Sequence, residues 1–448
     1  MKIVIIGAGA VGFELARTIS RREHDVILVE KTQEKIDRAA EHVDCHFVMG
    51  SGVSPEVLRK IGMTDCDLFA AVTDRDEVNI IACQTAHALG ARVKVARVRQ
   101  EDYYEDHRLI LDGVDLAINP DHEAVHAIRM VLFQTGANEV HEFAGGKVRI
   151  SGARVEKGST VEGLTLAEIN RQLGTRIALV TTIVRGEETL IPRGDTRIMA
   201  DDQVFLAGRR ATVDRSLIYF RAMTRKLGKV MIVGANAMGR ELARDLMSAG
   251  VKVKLIDRNE DKCRLASENL RHALVLHGNG TDSNLLENEG VADMDGFVSV
   301  SRDEETNIMA CLLARHLGAA KTVCLVNRPD YVPLLPILGV DSAISPRLST
   351  SAWIARFVKR GAVISAESLG YSGSEILQLR VGKGCPWLGN PLKELPFPSD
   401  AVIGAVLKHG QVLTPRGDTI LRAGDEVVVF ALSGSATAVE DFFAGGES

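Results

Sequence analysis

The chain has 448 residues, 46% of them apolar, and a formal net charge of −5. This is enough apolar material for ordinary buried cores in about three domains, and the near balance of charge supplies no basic field aimed at nucleic acid or anionic lipid. No apolar run approaches the roughly 18–20 residues of a membrane-spanning helix, and seven scattered cysteines without a C-x-x-C pair fit a reducing compartment rather than a disulfide scaffold.

The first element is a β-branched run, Ile3–Ile6, which predicts a short buried strand. Gly7-Ala-Gly-Ala-Val-Gly12 follows, and Val11, Leu15 and Ile19 then mark the apolar face of a helix. Lys2 with the apolar stretch to Phe13 imitates a secretion signal. The same pattern recurs in the interior at 229–239, where no signal acts, so both copies read as strand plus turn. A second strand, Val26–Val29, ends in Glu30, and a third leads to Gly50-Ser51-Gly52. The fourth, from Leu68, reaches Thr73-Asp74, followed by a helix over Asn79–Leu89 and a fifth strand over Val93–Val98. Strands alternating with helices predict a parallel, doubly wound sheet. Asn119-Pro120 starts a further helix, with Ala124, Val125, Ile128, Val131 and Leu132 as its apolar residues. Past Gly136 the texture changes to shorter alternating strands, down to Asp202-Gln-Val-Phe-Leu206.

The order then starts again. Val230–Val233 leads into Gly234-Ala235-Asn236-Ala237-Met238-Gly239, and Gly234 stands 227 residues after Gly7. Asp257 stands the same distance after Glu30. Gly278-Asn-Gly280, Ser301-Arg302, the helix Asn307–Leu317, Ser345-Pro346 and, past Gly361, the short strands all recur in order. Leu190-Ile-Pro-Arg-Gly-Asp-Thr196 matches Leu413-Thr-Pro-Arg-Gly-Asp-Thr419. A repeat of this period fixes the fold unit. The expected fold is α/β: two tandem copies of a Rossmann-like doubly wound parallel-sheet domain, each followed by a small α+β domain. The expected limits are 1–135 and 140–222 for the first copy, and 229–360 and 365–446 for the second. Arg221–Gly228 is the expected linker, and Gly445-Gly446 the end of a fraying tail.

The glycine spacing between a strand and a helix supports nucleotide binding. Gly7 permits the tight turn, Gly9 lets the backbone approach a pyrophosphate, and Gly12 lets the helix pack on the strand. The helix start supplies free N–H groups and a positive dipole end for the anion. Glu30 suits the hydroxyls of an adenosine ribose and repels a 2′-phosphate, which favours NAD(H) over NADP(H). Thr73-Asp74 and Ser301-Arg302 fall at strand carboxyl ends, where the ligand of such a sheet sits, and Arg97 and Arg99 are placed to meet phosphate charge. In the second copy Asn236 replaces the middle glycine and adds a side chain where the pyrophosphate approaches. The residues expected to line that cleft are Gly234, Ala235, Asn236, Ala237, Met238, Asp257 and Ser301. Its ligand stays open between NAD(H), one of ATP, ADP and AMP, and none at all.

Three patterns carry no such function. His122-Glu-Ala-Val-His126 matches the zinc-protease H-E-x-x-H, but the aligned stretch Leu348–Ala352 has no histidine and no third ligand is evident, so no metal is expected. Arg193-Gly-Asp195 and Arg416-Gly-Asp418 are turns rather than adhesion tripeptides. Cys83 and Cys311 sit in matching apolar stretches and read as core. No tyrosine is followed four residues later by lysine, and no P-loop lysine motif occurs, so no catalytic residues are expected.

With Ala71-Val-Thr-Asp74, Asp76-Glu-Val-Asn79, Ala96-Arg-Val-Arg99 and Asp303-Glu-Glu-Thr-Asn307 added to the first glycine loop and to the repeated Pro-Arg-Gly-Asp-Thr, the chain resembles the NAD-binding regulatory subunits of Trk potassium-uptake systems. The resemblance covers essentially the whole chain. It implies tandem regulator-of-potassium-conductance modules and NAD(H) contacts from Gly7, Ala8, Gly9, Ala10 and Val11, with Glu30, Thr73, Asp74 and Arg97. It also implies a cytoplasmic, non-catalytic protein, peripheral on the inner face of the membrane, that docks on an integral-membrane potassium-transport subunit and assembles as a tetrameric ring. The residues leave two alternatives open, an NAD-dependent oxidoreductase and a regulator of another cation exchanger.

Overall fold

The computed structural model describes all residues except 21–23, 101–102, 104–110, 135, 175–176, 187, 222–226, 356–362, 369–373, 433 and 445–448. Most of the expected linker, the boundary glycine Gly361 and the tail at Gly445-Gly446 therefore lie outside the described residues.

Two compact units are formed, Met1–Ala124 with Ser345–Arg360, and Val125–Ile344 with Gly361–Ser448. In the first unit six parallel strands line up in the order His46–Met49, Asp25–Glu30, Lys2–Ile6, Leu68–Ala71, Val93–Arg97, Leu116–Ile118. The apolar strands Lys2–Ile6 and Leu68–Ala71 are buried on both faces, as a sheet covered by helices on each side requires. One face carries Ile3, Ile5 and Leu28 against Val11, Leu15 and Ile19 of the helix Ala10–Ser20. The other carries Val4, Ile6 and Phe69 against Ile80, Cys83 and Ala86 of the helix Asp76–Ala88. That helix begins three residues before its expected start, because Asp76 and Glu77 suit the positive end of a helix dipole. A helix from the second half, Pro346–Ala355, also joins this unit. Its Ile354 and Trp353 pack into the cluster around Leu15 and Ile19.

The second unit contains an equivalent parallel sheet in the order Leu274–His277, Lys252–Asp257, Lys229–Val233, Gly296–Ser299, Thr322–Leu325, Ser342–Ile344. The helix Pro120–Phe133 enters this unit at Val125. Arg129 pairs with Asp245 at 3.2 Å, and the buried ammonium of Lys321 donates to the carbonyls of Val131, Gln134 and Ala137 at the end of the helix. Each half thus contributes a helix to the unit that holds the other half's sheet.

The same unit holds two five-stranded antiparallel sheets, Glu139–Phe143 to Gln203–Arg209 and Val363–Ser368 to Glu426–Ala431. Their inner faces form one core containing Ile150, Phe205, Ile376, Leu407, Val428 and Phe430. Phe205 and Phe430 meet at 6.0 Å between ring centroids. At one edge of this pairing the largely buried His141 stands between two carboxylates, with Nδ1 2.6 Å from Glu367 and Nε2 2.8 Å from Glu139. Burial works to lower its pKa, but the two carboxylate hydrogen bonds outweigh burial and push His141 up to about 10. The architecture is the α/β fold expected from the sequence, two parallel-sheet domains each with an antiparallel-sheet domain after it.

Candidate nucleotide-binding clefts

In each parallel sheet the strand order reverses beside the first strand, so a crevice opens at the carboxyl ends of Lys2–Ile6 and Leu68–Ala71, and again at Lys229–Val233 and Gly296–Ser299. In the first crevice the three glycines differ in their surroundings. Gly7 has φ +100°, and a Cβ on it would stand 2.9 Å from Thr73 Cγ2. A Cβ on Gly12 would stand 1.8 Å from the Gly7 carbonyl oxygen, which neither backbone can accommodate. A Cβ on Gly9 would meet nothing within 4 Å, so this side of the loop is open. The helix starts at the exposed Ala10, turns Val11 into the core, and sends the Phe13 N–H back to the Gly9 carbonyl at 2.8 Å.

Glu30 is buried at the end of its strand. One carboxylate oxygen accepts from the Ala8 N–H at 2.8 Å, and the other from the N–H groups of Lys31 and Thr32 at 2.8 and 3.2 Å. The acid therefore fastens the glycine loop to the second strand and holds a negative charge at the crevice wall. On the opposite wall, Asn79 accepts from both the N–H and the hydroxyl of Thr73 at 2.9 and 2.6 Å, and donates to the Thr73 carbonyl at 3.1 Å. Arg97 donates from Nη1 to the same carbonyl at 3.2 Å, and Arg99 donates to the Asp74 carbonyl at 2.8 Å. The Nε of Arg97 is buried and has no hydrogen-bond partner among the described residues. Burial first, then the neighbouring Arg99, lowers the pKa of the Arg97 guanidinium. The glycine loop, Glu30, Thr73-Asp74 and Arg97 thus lie at the carboxyl ends of neighbouring strands, with a cation short of partners on one strand and open backbone at Gly9.

The second crevice repeats the frame. Gly234 has φ +113°, with a would-be Cβ 2.9 Å from the Ser301 nitrogen, and a Cβ on Gly239 would stand 1.8 Å from the Gly234 carbonyl oxygen. Asp257 accepts from the N–H groups of Ala235 and Asn259 at 2.7 and 2.9 Å. Asn307 takes the Ser301 N–H at 2.8 Å, as Asn79 takes that of Thr73. Ala237 and Met238 begin the helix, the first exposed and the second buried.

Three side chains change the chemistry. Asn236 accepts from the Gly239 N–H at 2.9 Å and donates to the Val300 carbonyl at 2.7 Å. Arg240, where the first copy has Phe13, donates to the Ala235 carbonyl at 2.8 Å. Asn307 donates to the carbonyl of Leu325, whereas its counterpart Asn79 donates to that of Arg97, so the second crevice has a leucine where the first has its cation.

Sequence reasoning did not single out Asn79 and Asn307 as wall residues, nor Asp76, whose carboxylate accepts from the N–H groups of Arg99 and Gln100 at 2.8 and 2.9 Å. The usable signal was a polar residue opening the same apolar run in both copies, Asn79-Ile-Ile-Ala-Cys and Asn307-Ile-Met-Ala-Cys. Among the described residues no three histidine, cysteine or acidic side chains are grouped to hold a metal, and no helix is long and apolar enough to cross a membrane.

These features define tandem nucleotide-binding-type domains, each paired with a small antiparallel domain. The TrkA-N domain family matches residues 3–120 and 230–346, and the TrkA-C domain family matches 150–217 and 376–444. The chain is 34% identical to the Trk system potassium uptake protein TrkA of Halomonas elongata over 96% of both chains. It is 32% identical to TrkA homolog 2 of Methanosarcina mazei over 99% of this chain and 100% of that one. Among solved structures, the GsuK RCK domain superposes with a TM-score of 0.58 at 21% identity, covering 99% of this chain and 95% of that one. The GsuK channel bound to NAD gives 0.58 at 20% identity over 99% and 79%. The chain belongs to the TrkA family of Trk system potassium uptake proteins. It is a regulator in potassium transport rather than an enzyme.

Proposed function

We propose that this chain binds NAD(H) in its first crevice and, through that ligand, gates an integral-membrane potassium-transport subunit from the cytoplasmic side. The observation that carries the nucleotide assignment is the first crevice itself. Open backbone at Gly9, the Glu30 carboxylate and the under-partnered Arg97 stand around one switch point. Gly9 and the start of the helix would receive the pyrophosphate, Glu30 the adenosine ribose, and Arg97 and Thr73 the phosphate or second ribose.

Membership of a family of potassium uptake proteins supports the gating reading. A ligand that prefers one arrangement of domains over another shifts their population by its difference in affinity, and a coupling of about 1–3 kcal/mol suffices for a switch. The chain would act as a peripheral protein in a homo-tetrameric ring. The second crevice would take an adenine nucleotide or none.

The test is co-purification. The tagged chain is recovered from gently solubilised membranes of its own cell, with and without NADH. Recovery of a potassium-transport membrane subunit, in an amount that NADH changes, is the expected result. Recovery of the chain without any membrane partner under every nucleotide condition would remove the gating reading.

A further inference from the structure

We infer that Asn236 closes the second crevice to dinucleotides by occupying the pyrophosphate position with its own carboxamide, so that each chain carries one NAD(H) site, in its first half. This inference rests on the reading that the first crevice binds NAD(H).

The glycine loops of the two copies have the same backbone form. A Cβ on Gly12 or on Gly239 would meet the carbonyl oxygen of Gly7 or Gly234 at the same 1.8 Å. The space beside residue 9 is empty for at least 4 Å, and at the matching position the second copy carries a side chain anchored at both ends. Its Oδ1 accepts from the Gly239 N–H, a group at the helix start that an anion would otherwise meet, and its Nδ2 holds the Val300 carbonyl. A phosphate oxygen entering there would displace an amide oxygen already bonded to the helix, a neutral cap of the kind that stabilises a helix by about 0.5–2 kcal/mol.

One further difference acts in the same direction. Leu325 replaces the cation that Arg97 supplies in the first copy. Gly239 and Asp257 keep the frame of a nucleotide crevice, while Asn236 and Leu325 replace its anion-binding parts. The middle residue of the loop is thus the position at which a single side chain decides occupancy.

The experiment is the stoichiometry of NADH binding to the purified full-length chain, by equilibrium dialysis, for the wild type, G9N, N236G and N236G/L325R. One equivalent per chain is expected for the wild type and none for G9N. Two are expected for N236G and for N236G/L325R, and a second equivalent that appears only in N236G/L325R overturns the inference. Position 9 has room for the asparagine, and glycine at a helix cap costs only a few tenths of a kcal/mol, so both single variants should fold. Two equivalents on the wild type, or no gain in N236G, overturns the inference. A wild type that binds no NADH overturns the NAD(H) reading of the first crevice and the count of one site per chain, while a site appearing in N236G still upholds closure of the second crevice by Asn236. One equivalent that survives in G9N overturns both.

Discussion

Asn79 donates to the carbonyl of Arg97 at 2.8 Å, which joins the start of one helix to the end of the neighbouring strand. Because the same fully buried amide also holds the N–H, hydroxyl and carbonyl of Thr73, it positions both Thr73 and the Arg97 backbone on that wall.

N79A takes from the Thr73 N–H and the Arg97 carbonyl the partners described above, at about 1–3 kcal/mol for each unsatisfied group. We expect a stability loss of at least about 2 kcal/mol and NADH affinity lower by at least about tenfold, since tenfold corresponds to about 1.4 kcal/mol. N307A removes the equivalent network and should cost similar stability while leaving NADH affinity unchanged. Thermal unfolding and NADH fluorescence titration read the two effects separately. Equal loss of affinity in both variants would contradict the assignment of the ligand to the first crevice.

G9A and G12A should separate space from function in the glycine loop. Gly9 has an open Cβ direction and an ordinary φ, so G9A should fold with stability within about 0.5 kcal/mol of wild type. At Gly12 a methyl would overlap the Gly7 carbonyl oxygen, and overpacking of this kind typically costs about 1–3 kcal/mol. G12A should therefore lower the unfolding midpoint even without ligand. A G12A protein as stable as wild type would show that the helix does not pack on the strand as described.

The two glycine loops, their acids and the strand–helix alternation were legible in the sequence because each is local, and because Gly7 and Glu30 recur at one offset in Gly234 and Asp257. The exchange of helices was not. Ile354 and Trp353 form an apolar face that suits either sheet, and nothing in the spacing tells which one it covers. The pairing of the two small sheets escaped for the same reason, since alternation in Phe205 or Phe430 strands marks an inward face without naming the surface opposite. Asn236 was visible as a departure, but its two hydrogen bonds, to residues 3 and 64 positions away, belong to the folded chain.

His141 makes the joined small domains sensitive to pH with a definite sign. Its pKa in the folded protein is about 10, above the ordinary 6.5, so its stabilising contribution is complete below about pH 6.5 and is lost as pH rises through 10. Lys321 runs the other way. Burial lowers its pKa to about 7 from 10.5, so the cost of burying its charge is relieved over the same range, and the wild type alone will show little net slope. H141Q removes one of the two. The stability difference between wild type and H141Q should shrink from pH 6.5 to 10, with a slope of at most about 1.4 kcal/mol per pH unit. A difference independent of pH would mean that His141 is neutral between Glu139 and Glu367.

Arg97 should set ligand affinity against stability. Its buried Nε lacks a partner among the described residues, and burial disfavours its charged form, so in the absence of nucleotide the side chain is held at a cost. The second copy has leucine at this position, with the backbone carbonyl still bound by its asparagine, so R97L fits the strand. We expect R97L to unfold at a temperature equal to or above that of wild type without ligand, and to bind NADH at least about tenfold more weakly, the loss of one charge-assisted contact of about 1.5–3 kcal/mol. In saturating NADH the order should reverse, because the ligand stabilises the wild type by its tighter binding. An R97L protein that loses stability without ligand and keeps its NADH affinity would make Arg97 a structural residue of the sheet edge and leave the phosphate of the nucleotide to the glycine loop alone.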